Sequence, residues 1–189
     1  MNIRGSAWQG GILAKMKGRF LGLKYAIDLI SGRELTHTKM DMGIAFILRF
    51  PFYVRKNRDQ VRKWAVIALN QAKEAEPYVP HQVALANVRL AEIGFYFPQN
   101  YGEIGFRADH AYALRDAIIA EGAYGKQQLA SILRHLGEIR MRMKYYEKAE
   151  ALLHEAMGFA ALTGATDQLY KTSLVLYELM QRMQSRETR

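Results

Sequence analysis

Residues 133–156 read Leu133-Arg134-His135-Leu136-Gly137-Glu138-Ile139-Arg140-Met141-Arg142-Met143-Lys144-Tyr145-Tyr146-Glu147-Lys148-Ala149-Glu150-Ala151-Leu152-Leu153-His154-Glu155-Ala156. Leu136 and Gly137 sit in the middle of one helical run, and Ala149, Leu153 and Ala156 mark one face of the next. Small residues at these intervals let two antiparallel helices approach closely, and the large residue between them fills the gap. Upstream, Val88-Arg89-Leu90-Ala91-Glu92-Ile93 repeats the order Leu, small residue, Glu, Ile found in Arg134–Ile139. The spacing Ala149-x3-Leu153-x2-Ala156 recurs as Ala65-x3-Leu69-x2-Ala72, followed by Pro77. No segment has the strict alternation of a half-buried strand, so the fold class is read as all-α.

Around this stretch eight helical segments are expected. They run from Trp8 to Ile30, Thr38 to Phe50, Arg58 to Ala75, and from just after Pro80 to Phe97. The rest run from Arg107 to Glu121, Lys126 to Met143, Tyr146 to Ala161 and Asp167 to Gln184. Ser31-Gly32, Pro51, Pro77, Gly122 with Gly125, and Thr163-Gly164-Ala165-Thr166 supply the breaks. Residues 52–57 and 98–106 are expected to be loops, and the tail from Ser185 is expected to fray. In the first segment, Met16, Phe20, Leu23, Ile27 and Ile30 share one helical stripe.

Over about residues 130–163 the chain resembles the tetratricopeptide repeat. Leu133-x2-Leu136-Gly137-x2-Arg140, then Tyr146, Ala149, Leu153 and Ala156, fall at that family's spacing. It departs from the family where Trp, Tyr and the closing Pro are replaced by Leu133, Arg140 and Ala161. Residues 58–77 look like the second helix of such a repeat and 81–97 like a first helix. The partner of the latter would be 107–121, with Ala113 and Ala117 as its close contacts, reached by a 98–106 insertion. The resemblance implies antiparallel helix pairs stacked as a short right-handed α-solenoid over residues 57–189, ending in a capping helix, with a basic helical extension over 1–56. Residues 1–50 match no pattern of this kind.

The chain has 189 residues, half of them hydrophobic, 24% charged and none cysteine. That suits one globular domain or one short repeat array. It leaves out disulfides, thiolate nucleophiles and Cys-ligated zinc. The longest apolar stretch, Met40 to Val54, is interrupted by Asp41, Arg49 and Pro51, too often for a membrane-spanning helix. The net charge of +9 is segregated, because residues 1–63 hold 13 Lys/Arg against 4 Asp/Glu and residues 64–189 hold 14 of each. The N-terminal third is therefore expected to face something negative.

Catalytic chemistry is not evident. Gly122-Ala123-Tyr124-Gly125-Lys126 lacks the spacing and the Ser/Thr of a phosphate loop, and no HExxH occurs. Glu150-x3-His154 with Glu155 reads as a solvated helix face rather than a metal site. Asp109, His110 and Asp116 suit a helix start without catalysis. His37, His81 and His135 stand alone in sequence. The chain is expected to be no enzyme and to hold no metal or cofactor.

Two surfaces remain as functional candidates. The resemblance implies that the first helix of each pair lines a concave groove. This puts Arg134, Glu138, Met141 and Arg142 there, with Val88, Glu92, Phe95 and Tyr96 as their equivalents one pair earlier. Such a mixture of aromatic, Met and charged groups suits a peptide or partner helix. It lacks the Lys and Asn cluster by which the family clamps a terminal carboxylate. The alternative is that Phe95 and Tyr96 pack under the 98–106 loop. The second surface is basic. Lys15, Lys17, Arg19 and Lys24 lie on the first helix, and Arg49, Arg55, Lys56, Arg58, Arg62 and Lys63 surround Phe50, Phe52 and Tyr53. It fits an anionic membrane surface, a nucleic acid, or the wet side of a helix whose stripe packs on the repeats. Residues 1–27 are basic and acid-free like an organelle presequence, but contain only Ser6 and no continuous apolar core, so they are expected to be retained. The reading that follows is a cytoplasmic, non-catalytic scaffold or accessory subunit that binds a protein through its groove. Its alternative is a peripheral membrane or nucleic-acid binding protein acting through residues 1–63. The oligomeric state is left open.

Overall fold

The computed structural model describes residues 18–98 and 100–187, and the regular structure among them is entirely helical. Helix α1 covers residues 18–30. It is followed by α2 (His37–Ile47), α3 (Pro51–Lys56), α4 (Arg58–Glu74), α5 (Pro80–Gly94) and α6 (Tyr101–Ala113). The chain ends with α7 (Arg115–Ala120), α8 (Ala123–Arg142), α9 (Tyr146–Leu162) and α10 (Thr166–Glu187). The parts of the first expected segment before residue 18, with Lys15, Met16 and Lys17, lie outside the described residues.

Several expected boundaries are corrected. Pro51 does not lead into a loop but opens α3, because a proline at the first helical position loses no hydrogen bond. The expected 98–106 insertion shrinks, since α6 already starts at Tyr101. The earlier start changes the register. Ile104, Ala108 and Ala111 are buried, whereas Ala113 and Ala117 face solvent. The single helix expected over 107–121 breaks at Leu114 into α6 and α7. Gly122, with φ of +83°, makes the sharp turn into α8. Gly125 lies inside α8 rather than before it, where a Cβ would stand 2.1 Å from the Ile118 carbonyl oxygen.

Close approach at small residues builds the helix pairs. A Cβ on Gly137 would lie 2.7 Å from Leu153, so α8 and α9 meet as the 133–156 pattern suggests. A Cβ on Gly94 would lie 2.6 Å from Ile104, which brings α5 and α6 together in the same manner. Helix α4 packs on both α2 and α5, α8 touches α5, and α10 covers α9 and part of α8. The core is continuous across residue 56: Leu29, Ile44 and Val54 pack with Val61, Trp64 and Leu69. A second cluster joins α5 to α9 around Val88, Ile104, Ile118, Leu133 and Leu136. Met141, Leu153 and Leu179 form a third beneath α10. The outer side of α10 carries exposed Tyr170, Leu174, Tyr177 and Met180, so this helix covers the last pair while presenting an apolar stripe of its own.

Candidate binding face of helices α2, α5 and α8

Contacts along α2, α5 and α8 occur in matching order. His37 of α2 meets Gln82 of α5, and one to two turns later Asp41 meets Arg89. Glu92 of α5 meets His135 of α8, and further on the Arg142 guanidinium lies 3.8 Å from the centre of the Phe95 ring. The three helices therefore run side by side in the same direction and share one face.

A line of charge crosses this face. Arg89 Nε donates to Asp41 at 3.2 Å, and its Nη1 donates to Glu92 at 2.9 Å. Glu92 stands 2.9 Å from His135 Nδ1, close enough for an ion pair but poorly aligned for a hydrogen bond. Arg134 donates to His135 Nε2 at 2.8 Å and pairs with Glu138. Since Nε2 accepts, the neutral ring carries its proton on Nδ1, toward Glu92. Burial alone would lower the Arg89 pKa, but Asp41 and Glu92 outweigh it and hold it above its ordinary value. Burial alone would likewise raise that of Glu92, but Arg89 and His135 outweigh it and hold it well below.

Next to this line is a cavity of about 310 Å³, walled by His37 and Asp41 of α2, Gln82 and Arg89 of α5, and Tyr124 and Gln128 of α8. At its rim, the Glu121 carboxylate accepts from the His81 backbone N–H at 3.1 Å and lies 2.6 Å from His81 Nδ1. Glu92, His135 and Glu138 bring three ligand atoms within 4.8 Å of one another. Both carboxylates already carry an arginine, so a cation would have to displace Arg89 and Arg134. The arrangement holds α5 and α8 in register, while Asp41 and Arg89 at its α2 end also line the cavity.

Of the residues expected in the groove, Glu92, Phe95, Arg134, Glu138 and Arg142 do come together. Val88 does not, because it is fully buried among Ala84, Ile104 and Leu133. Met141 is buried beneath α10, since it lies on the side of α8 that faces α9 and α10. Tyr96 packs against the first core cluster, and its carbonyl oxygen accepts from Arg58 at 3.4 Å. Asp41, Arg89, His135 and Gln128 were not anticipated. The spacing Gln128, Ser131, His135, Glu138, Arg142, all polar and on one side of α8, is a signal that could have found Gln128 and His135, whereas no comparable spacing marks Asp41 or Arg89.

The basic residues divide. Arg19, Lys24, Arg49, Arg55, Lys56 and Lys63 are exposed. Arg58 and Arg62 are turned inward, each 5.2 Å from the centre of the Phe97 ring, and Arg62 donates to both Glu103 oxygens at 2.9 and 2.8 Å. Arg62 thus ties α4 to α6, and Arg58 ties α4 to the segment after α5. The stripe of α1, in contrast, is not packed on the body: Phe20, Leu23, Ile27 and Ile30 are exposed. Elsewhere, Asp109 pairs with Arg140, Asp116 with Arg115, and Glu150 lies 3.9 Å from exposed His154. Among the described residues no helix is long and apolar enough to cross a membrane.

No protein-family model, no curated protein and no solved structure matches this chain.

Proposed function

We propose that the chain is a non-catalytic scaffold of tetratricopeptide type that holds a segment of a partner protein against the α2, α5 and α8 face. The observation that carries this reading is the cavity on that face, to which α2, α5 and α8 each contribute polar side chains over an apolar floor that includes Ala68 and Ala72 of α4. Helices that follow one another as first members of pairs give such a face to an extended or helical ligand. The partner segment would combine polar or charged groups for Asp41, Gln82 and Gln128 with an apolar side chain for the Tyr124 end. The non-catalytic part of the reading is supported by His135, whose Nε2 is engaged by Arg134 rather than by a nucleophile.

The test is a photo-crosslinking residue placed at Ser131, on this face, and at Glu150, on the exposed side of α9, in the full chain in its native source. One protein captured from position 131 and not from 150, with capture blocked by Gln128→Arg, is the expected result. Equal capture from both positions, or capture indifferent to Gln128→Arg, would reject the groove. Because the contacts invoked are largely packed and short-ranged, capture should be nearly independent of salt.

A further inference from the structure

Helix α1 is apolar on two sides, and among the described residues only one of them packs on a neighbouring helix. Its inner side carries Gly22, Ala26 and Leu29, which pack on α2, where a Cβ on Gly43 would lie 2.7 Å from Leu29. Its outer side carries Phe20, Leu23, Ile27 and Ile30, with 70%, 41%, 53% and 53% of their surfaces exposed. At about 100° per residue these four fall within a sector of roughly 80°. Single exposed apolar residues are ordinary, but a contiguous line along a helix marks an interaction surface.

The charges around this line have one sign. Arg19 and Lys24 are exposed and flank it on opposite sides. Asp28, the acidic residue of α1, is buried and receives a hydrogen bond from Arg33 at 2.8 Å. On its inner side the start of α1 lies beside the end of α2, which carries further aromatic residues. Phe46 would touch a Cβ on Gly22 at 3.4 Å, and the rings of Phe46 and Phe50 are 5.4 Å apart. Beyond them Phe50 and Phe52 are exposed, Phe52 to 83%, with Arg49, Arg55 and Lys56 beside them.

We infer that this surface docks reversibly on an anionic lipid bilayer, with the α1 line and Phe52 entering the headgroup region and the cations meeting lipid phosphates and carboxylates. An amphipathic helix with an apolar face and flanking cations is the arrangement that lies in a membrane interface, and one such element gives reversible rather than permanent attachment. A nucleic acid would use the cations but leave Leu23, Ile27 and Ile30 without partners, because aliphatic side chains do not stack on bases as aromatic ones do. Two copies meeting through this face would bring together two surfaces of the same positive sign, with Arg19 and Lys24 of each copy beside cations of the other. The inference goes beyond the groove reading and does not depend on it.

The test is flotation of the full chain with phosphatidylcholine vesicles containing about 30% phosphatidylserine, and with phosphatidylcholine alone. Binding to the first and not the second is expected, with at least about a tenfold drop for Arg19→Glu with Lys24→Glu. The substitutions Phe20→Ser, Leu23→Ser and Ile27→Ser together should abolish it while the chain keeps a cooperative melt, since about half or more of the surface of these side chains is outside the core. The chain has no cysteine, so Leu23→Cys and Glu150→Cys each give one labelling site. An environment-sensitive dye should shift to the blue with the acidic vesicles at position 23 and not at 150, which tests the idea even where the triple variant folds poorly. No flotation with acidic vesicles, flotation that survives the triple substitution, or no shift at position 23 would overturn it. So would self-association, or RNA or DNA binding, that the triple variant loses while the wild-type chain ignores vesicles. Capture from Ser131 is unaffected by these variants, so failure here is distinguishable from failure of the groove.

Discussion

Arg140 occupies the position where the tetratricopeptide pattern has a tyrosine. It is buried and reaches from α8 to Asp109 on α6, so a charge pair joins these two helices. The same use of charge to join helices is most developed at Glu92. Its folded pKa is lowered relative to the ordinary glutamate value, so its contribution is fully present above about pH 4.3 and is lost as pH falls through the lowered value. Chemical denaturation should give lower stability at about pH 3 than at pH 6. Glu92→Gln should cost about 2 kcal/mol at pH 6, by leaving Arg89 with Asp41 alone, and should flatten the acid decline. An unchanged pH slope in that variant would mean that Glu92 is not the group responsible.

At the scale of elements, the α8 and α9 pair is the one whose contacts are most clearly dictated by residue size. A methyl group on Gly137 would press on Leu153 Cγ and Cδ2, both at 2.7 Å, and on the Ala149 carbonyl oxygen at 3.3 Å. Alanine gains about 1 kcal/mol in helix propensity over glycine, while overpacking a tight contact costs roughly 1–3 kcal/mol. Gly137→Ala should therefore destabilise the chain by about 1 kcal/mol in urea denaturation. Combining it with Leu153→Val should recover part of the loss, because the two positions touch. Additive effects would show that the pair does not meet as described. In α5 and α6 the register differs: the close approach is at Gly94 against Ile104, three residues beyond the Ala91 that matches Gly137.

At the scale of the whole molecule, the basic third and the balanced remainder share one core. Ile44, Val54 and Val61 cover Trp64, Ala68 and Leu69. A chain cut to residues 64–189 would expose that apolar side of α4. It should melt well below the full chain and bind a hydrophobic dye, as loosely packed states do. An unaltered cooperative melt would mean that the N-terminal third adds no core. Among the described residues, the segregated charge is thus carried on helices integrated into the core rather than on a detachable arm.

The all-helical class, the α8 and α9 pair and the uneven charge follow from residue order alone, because helical periodicity and small-residue spacing are local properties. Glu92, Arg134 and Glu138 were expected on one face only through the resemblance to a helix-pair repeat, and they stand close together around His135. Three kinds of feature were not legible in residue order. The early start of α6 places Ile104 against Gly94, a contact between helices that local periodicity does not reveal. His135, Arg89 and Asp41 stand apart in sequence and become a network only when α2, α5 and α8 lie side by side. Periodicity also tells which residues share a face without telling whether anything covers it. Val88 lies in the core and the line Phe20, Leu23, Ile27, Ile30 faces solvent, although both are apolar residues on helices. Only the tertiary structure decided that, because burial depends on where the neighbouring helices stand.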